Sequence, residues 1–275
     1  MSTGLEPAAS TGLYVEATPA LLGPDTAPLV VCVHGSMDRH ASFARLRARL
    51  TTTCNVLLYD RRGYAASRCV VPAAEGLDDH VADLVGLLEG RPAVLFGHSY
   101  GGDIALALAE RRPDLVTAVV VFETPLPWLG FWRAPAAGGQ QPPWAAATPR
   151  DSAERFLRRM LGDRRYEAIP AATRDELAKD GPALVTELTA IGQDPPPFDP
   201  QMVEVPVLVV LGSEAPSRHR LGADWLAASL PDAGRRVVEG AGHDGHRTHS
   251  KEVAEIVLEA VRLASDRADR DKSPR

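Results

Sequence analysis

At 275 residues, with 45% hydrophobic and 24% charged side chains, the chain has the balance of a folded globular protein. It is long enough for one large core, or one core with a modest subdomain. A formal net charge of −6 does not invite nucleic acid or an anionic membrane surface, and neither is expected as a partner. The cysteines (Cys32, Cys54 and Cys69) are odd in number and Cys32 lies in an apolar run, so reduced thiols in a cytoplasmic protein are expected.

Residues 1–10 lack a basic stretch followed by an apolar one, so no secretory leader is expected, and no apolar run reaches membrane-span length. Residues 12–18 alternate weakly and suggest an early strand. Leu29–Val33 is continuously apolar between Pro28 and Gly35, which suits a parallel strand buried on both faces. Phe43, Leu46 and Leu50 fall at helical spacing. Residues 56–59 form the next strand, stopped by Asp60-Arg61-Arg62-Gly63. Leu77, Val81, Leu84, Val85 and Leu88 predict a helix with Asp78 and Asp79 in its first turn.

Residues 93–96 then run into Gly97-His98-Ser99-Tyr100-Gly101-Gly102, and an apolar helical stretch follows at once. This is a strand, a sharp turn and a helix, with a serine at the tip and a glycine two places to either side. A serine held in such a turn is strained, and a Cβ at the flanking positions would clash with the crossing strand and helix. The turn exposes Oγ and aims the first helical N–H groups at whatever the serine attacks. A phosphate-binding loop would need other glycine spacings. After another strand at 118–122, the alternation predicts a doubly wound, mostly parallel α/β sheet.

From 124 to 205 no strand-like run appears. Prolines and the aromatics Trp128, Phe131, Trp132 and Trp144 fill the first part, and helical patterns follow around Phe156, Leu157, Met160 and Leu161 and around Leu184, Leu188 and Ile191. Strand and helix resume with 207–211, a helix holding Leu221 and Trp225, a short strand at 237–238, and a last helix. The expected division is a core of 1–123 and 206–265, a helical excursion over 124–205, and a solvated, disordered tail over 266–275.

A serine hydroxyl needs a base. His243 follows the last short strand, and loops after parallel strands gather on the edge that displays Ser99; His246 and His249 are weaker candidates. The run His243-Asp244-x-His246-x-x-His249 lacks the helical i, i+4 histidine pair of a zinc hydrolase and any nearby cysteine, so no metal is expected there. A carboxylate should orient the imidazole. Glu123 and Glu214 both follow predicted strands, and both remain open on position alone.

His34-Gly35-Ser36, Asp60-Arg61-Arg62-Gly63-Tyr64, Gly97-His98-Ser99-Tyr100-Gly101-Gly102 and Gly240-Ala241-Gly242-His243, in that order, together resemble the α/β-hydrolase family of capped serine hydrolases. The resemblance implies an oxyanion hole from the backbone N–H groups of Ser36 and Tyr100. It implies that 124–205 is the cap such enzymes insert after strand six. His34, His98 and the Asp60-Arg61-Arg62 turn are then structural. The family's usual acid position is occupied by Ala215, with Glu214 one residue early and on the other face. Some lipases of the fold carry the acid where Glu123 stands, so Glu123 is the expected acid and Glu214 the alternative.

The expected function is cytoplasmic, cofactor-free hydrolysis of a small, mostly apolar ester, thioester or lactone, with Ser99 as nucleophile and His243 as base. A serine at the elbow argues against dehalogenase or epoxide-hydrolase chemistry. Trp128, Phe131, Trp132 and Trp144 are candidates for the acyl pocket or for packing inside the cap. Rival readings are an acyltransferase, a cofactor-free peroxidase-like enzyme, or a ligand-binding protein of the same fold; the vacant acid position at Ala215 lends the last its weight.

Overall fold

A computed structural model describes residues 11–70, 73–132, 148–191 and 196–272. The chain opens with β1 (Val15–Thr18), β2 (Leu29–Val33), α1 (Ala44–Leu50), β3 (Asn55–Tyr59) and α2 (Leu77–Leu88). It continues with β4 (Ala93–His98), α3 (Tyr100–Arg111) and β5 (Val116–Phe122). After the excursion come β6 (Val207–Gly212), α8 (Ser217–Ser229), β7 (Ala233–Val238), α9 (Gly245–Thr248) and α10 (Ser250–Lys272). The seven strands form one sheet in the order β1-β3-β2-β4-β5-β6-β7, and β1 is antiparallel to β3 while the other pairs are parallel.

The apolar runs bury both faces because alternate side chains point to opposite sides. Leu29, Val31 and Val33 of β2 join one core with Leu84 of α2 and Ile104 and Leu108 of α3. Val30 and Cys32 join the other with Leu46 of α1 and Val253 and Val257 of α10. β3 and β4 lie on either side of β2, so the winding direction reverses there. Loops leaving the carboxyl ends of β2 and β4 diverge at that point and leave room for a site.

Between β5 and β6 the described residues carry α4 (Pro149–Leu161), α5 (Asp163–Glu167), α6 (Ala171–Ala178) and α7 (Gly181–Ala190). In this seven-stranded sheet the excursion thus follows the fifth strand, where the family-based expectation counted six. Its small apolar cluster takes Ala153, Leu157, Tyr166 and Leu184 from the excursion and Met37 and Tyr64 from the sheet loops.

The expected disordered tail is corrected as far as residue 272, because α10 continues through Lys272. Arg267 donates to the Glu204 carbonyl, which ties this continuation to the loop before β6. No helix among the described residues is long and apolar enough to cross a membrane. Cys32 and Cys54 are buried, Cys69 is exposed, and none is disulfide-bonded.

Candidate active site

Ser99 links β4 to α3 with φ +52° and ψ −127°, a conformation that a non-glycine residue adopts only under strain. Crowding explains the glycines around it. A Cβ on Gly97 would lie 2.5 Å from the Gly101 carbonyl oxygen, and one on Gly101 would lie 2.1 Å from the Val33 oxygen. Ser99 N–H donates to the Phe122 carbonyl at 2.9 Å, and its side chain forms no capping bond to the helix. A Cβ on Gly35 would come within 2.8 Å of Ser99 Cβ, so the loop after β2 passes directly beside the serine. Tyr100 opens α3, where the first N–H groups have no partner within the helix.

Glu123 directly follows β5 and also takes a positive φ, +50°. It is buried, and Gly212 N–H donates to its Oε1 at 3.1 Å. Its Oε2 lies 2.8 Å from His243 Nδ1. That bond assigns the proton to Nδ1 in the neutral ring and leaves Nε2 as a lone pair, the state a base needs. His98, the residue before Ser99, donates from Nε2 to the His243 carbonyl at 2.8 Å. The end of β4 therefore holds the backbone of the His243 loop. Glu214 is exposed, and Ala215 is buried in the core. The structure thus sets Glu123, and not Glu214, against His243.

A further imidazole, unmarked by any sequence motif, completes this edge. His219 of α8 lies between Trp132, which it meets edge-on (ring centroids 4.7 Å apart), and the tilted ring of His243 (5.3 Å). Burial, then the neighbouring His243 and Arg218, pushes its pKa down to about 2, so the ring is neutral.

Ser36 is bound through its side chain to the excursion. Its Oγ donates to Glu187 Oε2 of α7 at 2.7 Å, and Tyr64 donates its hydroxyl to the same oxygen at 2.7 Å. Arg61 donates to Glu187 Oε1 and is itself fully buried; it also donates to the carbonyls of His34 (2.8 Å) and Gly35 (3.1 Å). Burial raises the Glu187 carboxyl, but Arg61 and His80 outweigh it and hold the group well below the usual carboxylate range. His34 accepts from Arg61 N–H at Nε2, 2.9 Å, and burial followed by Arg61 lowers its pKa to about 4. Asp60 accepts from His40 and Ala66, while Arg62 pairs with Asp83. These bonds brace the loops after β2 and β3.

The aromatics divide. Trp132 packs on His219 and Gly222, beside the His243 edge. Trp128 packs edge-on against Phe198 and lines an open groove with Glu110 and Arg111, at the opposite end of α3 from Ser99. Phe131 is exposed. The expected acyl-pocket role is therefore corrected for Trp128, which lies away from the serine edge; Trp144 lies outside the described residues.

Two groups of donors among the described residues lie close enough to share a cation: Glu123, His219 and His243, and Asp38, His98 and His246. In the first, both carboxylate oxygens already accept hydrogen bonds.

Residues 30–256 match the family model described as the alpha/beta hydrolase family. The pimeloyl-[acyl-carrier protein] methyl ester esterase of Chromobacterium violaceum is 30% identical over 250 residues, covering 86% of this chain and 94% of that one. The crystal structure of the enol-lactonase from Burkholderia xenovorans LB400 superposes with a TM-score of 0.68 at 24% identity, covering 90% of this chain and 96% of the other. A bromoperoxidase from Bacillus anthracis superposes with a TM-score of 0.69 at 20% identity, over 91% and 95% of the two chains.

Proposed function

Since this chain belongs to the α/β hydrolase family and is a hydrolase of the esterase and lactonase type, we propose that it cleaves a small, mostly apolar carboxylic ester, thioester or lactone through an acyl-enzyme on Ser99. His243 Nε2 takes the proton from Ser99 Oγ as the oxygen attacks the carbonyl carbon. The tetrahedral oxyanion accepts from the backbone N–H groups of Ser36 and Tyr100. His243 returns the proton to the leaving oxygen or sulfur, and water then repeats the sequence on the acyl-enzyme. Glu123 stays ionised throughout and stabilises the imidazolium. Residues 124–205 act as the cap over this edge, with Trp132, which packs on His219, as an aromatic lining the acyl site. Three unpaired cysteines suit a reducing compartment, and the reading places the enzyme in the cytoplasm.

The observation that carries the proposal is the 2.8 Å bond between Glu123 and His243, made at the sheet edge where Ser99 is held at positive φ. It also weakens the reading as a mere binder, which drew its weight from the missing carboxylate at Ala215. Acyl transfer differs only in the acceptor that replaces water. A fluorophosphonate probe is expected to label the purified chain once, and Ser99→Ala to abolish both the labelling and the hydrolysis of p-nitrophenyl esters. Labelling that survives in Ser99→Ala, or a wild-type chain inert to probe and esters alike, would overturn the mechanism.

A further inference from the structure

Behind the His243 loop lies a second set of side chains that the proposed hydrolysis does not use. Asp38 comes from the loop after β2, His98 from the end of β4 and His246 from α9, and their donor atoms all lie within 4.8 Å of one another. The loop geometry forces an electrostatic problem on them. His98 Nε2 must carry the proton it donates to the His243 carbonyl, since a carbonyl can only accept. In the neutral ring Nδ1 is therefore a lone pair. That lone pair has no hydrogen-bond partner, and it lies 3.8 Å from Asp38 Oδ2, another acceptor. His246 is 1% exposed and neither of its ring nitrogens has a partner, yet its Nε2 is 3.5 Å from the same Asp38 oxygen.

One proton does not resolve this. A proton on His246 Nε2 answers Asp38 but leaves the His98 lone pair unanswered. A second proton on His98 would put two imidazolium rings with centroids 4.1 Å apart against one carboxylate.

A divalent ion answers all three atoms at once. Ligands bound at about 2.0–2.1 Å around a tetrahedral zinc stand roughly 3.4 Å apart, close to the 3.5 and 3.8 Å separations seen. The surroundings of two of the three ligands, His98 and Asp38, match what metal ligands need. The far nitrogen of His98 is fixed by the His243 carbonyl, and Ser42 Oγ donates at 2.9 Å to Asp38 Oδ2, the oxygen that faces both imidazoles. Asp38 is partly exposed, which provides a path of entry, whereas both imidazoles are buried.

We propose that Asp38, His98 and His246 form a binding site for one divalent transition-metal ion of the zinc class, which fastens the loop after β2 and the start of α9 to the end of β4. Through the His98 bond the ion steadies the backbone of His243 without touching the reacting atoms. The assignment is independent of the substrate and of the hydrolytic reading.

The test is metal binding by the full chain after stripping with a chelator. Titration with Co2+ followed by visible absorption, and with Zn2+ followed by calorimetry, is expected to show one equivalent bound, with a higher melting temperature in the metal form. Asp38→Asn and His246→Gln should each weaken binding by about 100-fold or more, while His219→Gln, in the other donor group, leaves it intact. In the unaltered chain, Zn2+ should shift the ring-nitrogen resonances of His98 and His246 and spare His219, a readout that survives if a variant fails to fold. No binding at micromolar Zn2+, equal binding by His246→Gln, or loss in His219→Gln instead would refute the site.

Discussion

β2, β3, β4 and β6 are buried from end to end, whereas α6 in the excursion buries none of its residues. The sheet is held by apolar area on both faces, worth about 25 cal/mol for each Å² removed from water. The excursion buries only a small apolar cluster and adds a set of ion pairs to it. Arg158 reaches Glu154, Asp163 and Glu167, Arg68 reaches Glu176 and Asp180, and the fully buried Arg61 meets Glu187. Two kinds of ion pair are mixed here, and they differ in consequence. Exposed pairs contribute little because water and salt screen them, while a buried pair cannot lose one member without leaving an uncompensated charge. The sheet should therefore withstand acid and salt better than the attachment of the excursion, and the reacting groups on the sheet edge should be separable from that attachment.

The largest expected effect lies on the sheet side. Glu123→Gln should cut ester turnover by about 10⁴-fold with the fold intact, and Glu214→Gln should leave turnover near wild type. Steady-state kinetics on the two variants checks this, and the reverse outcome would move the acid to the strand-six loop.

Glu187→Ala strikes the attachment. It leaves Arg61 buried without its partner and frees Ser36 and Tyr64, and it should destabilise the chain by about 3–5 kcal/mol in denaturant unfolding. The same pair sets a pH dependence. The Glu187 carboxyl is held below its ordinary value in the folded chain, so its contribution is complete above that ordinary value and drains away as pH falls toward the folded one. Amide exchange should accordingly rise in α4 and α7 on acidification before it rises in β4 and β5. Simultaneous opening of both regions would erase the contrast.

The smallest effect belongs to the exposed pairs. Arg150→Ala removes the exposed pair with Asp175, yet melting temperature and turnover should barely move, because screened surface pairs contribute little.

Much of the sheet was legible in the residue pattern because a strand buried on both faces has to be apolar throughout, as at Leu29–Val33. Ser99 announced itself through glycines that no side chain could replace without overlap. The chain past 265 misled because its alternating acids and arginines look like a solvated tail, yet they continue α10 through residue 272. α5 and α6 escaped notice because polar helices carry no apolar stripe. His219 and Glu187 had no local signature either. Each sits in a helix without a marked apolar stripe, and its significance arises from partners 24 residues away or more, such as His243 and Arg61.

The amino-acid order alone determined the alternation of strands and helices, the strained serine turn and the histidine that follows the last strand, because these depend on periodicity and on backbone conformations that few residues tolerate. Which carboxylate meets His243, how α7 reaches Ser36, and how Asp38, His98 and His246 converge were decided only by the tertiary structure. Those contacts join segments far apart in the chain, and a side chain's charge acts through distance in space, which no local pattern encodes.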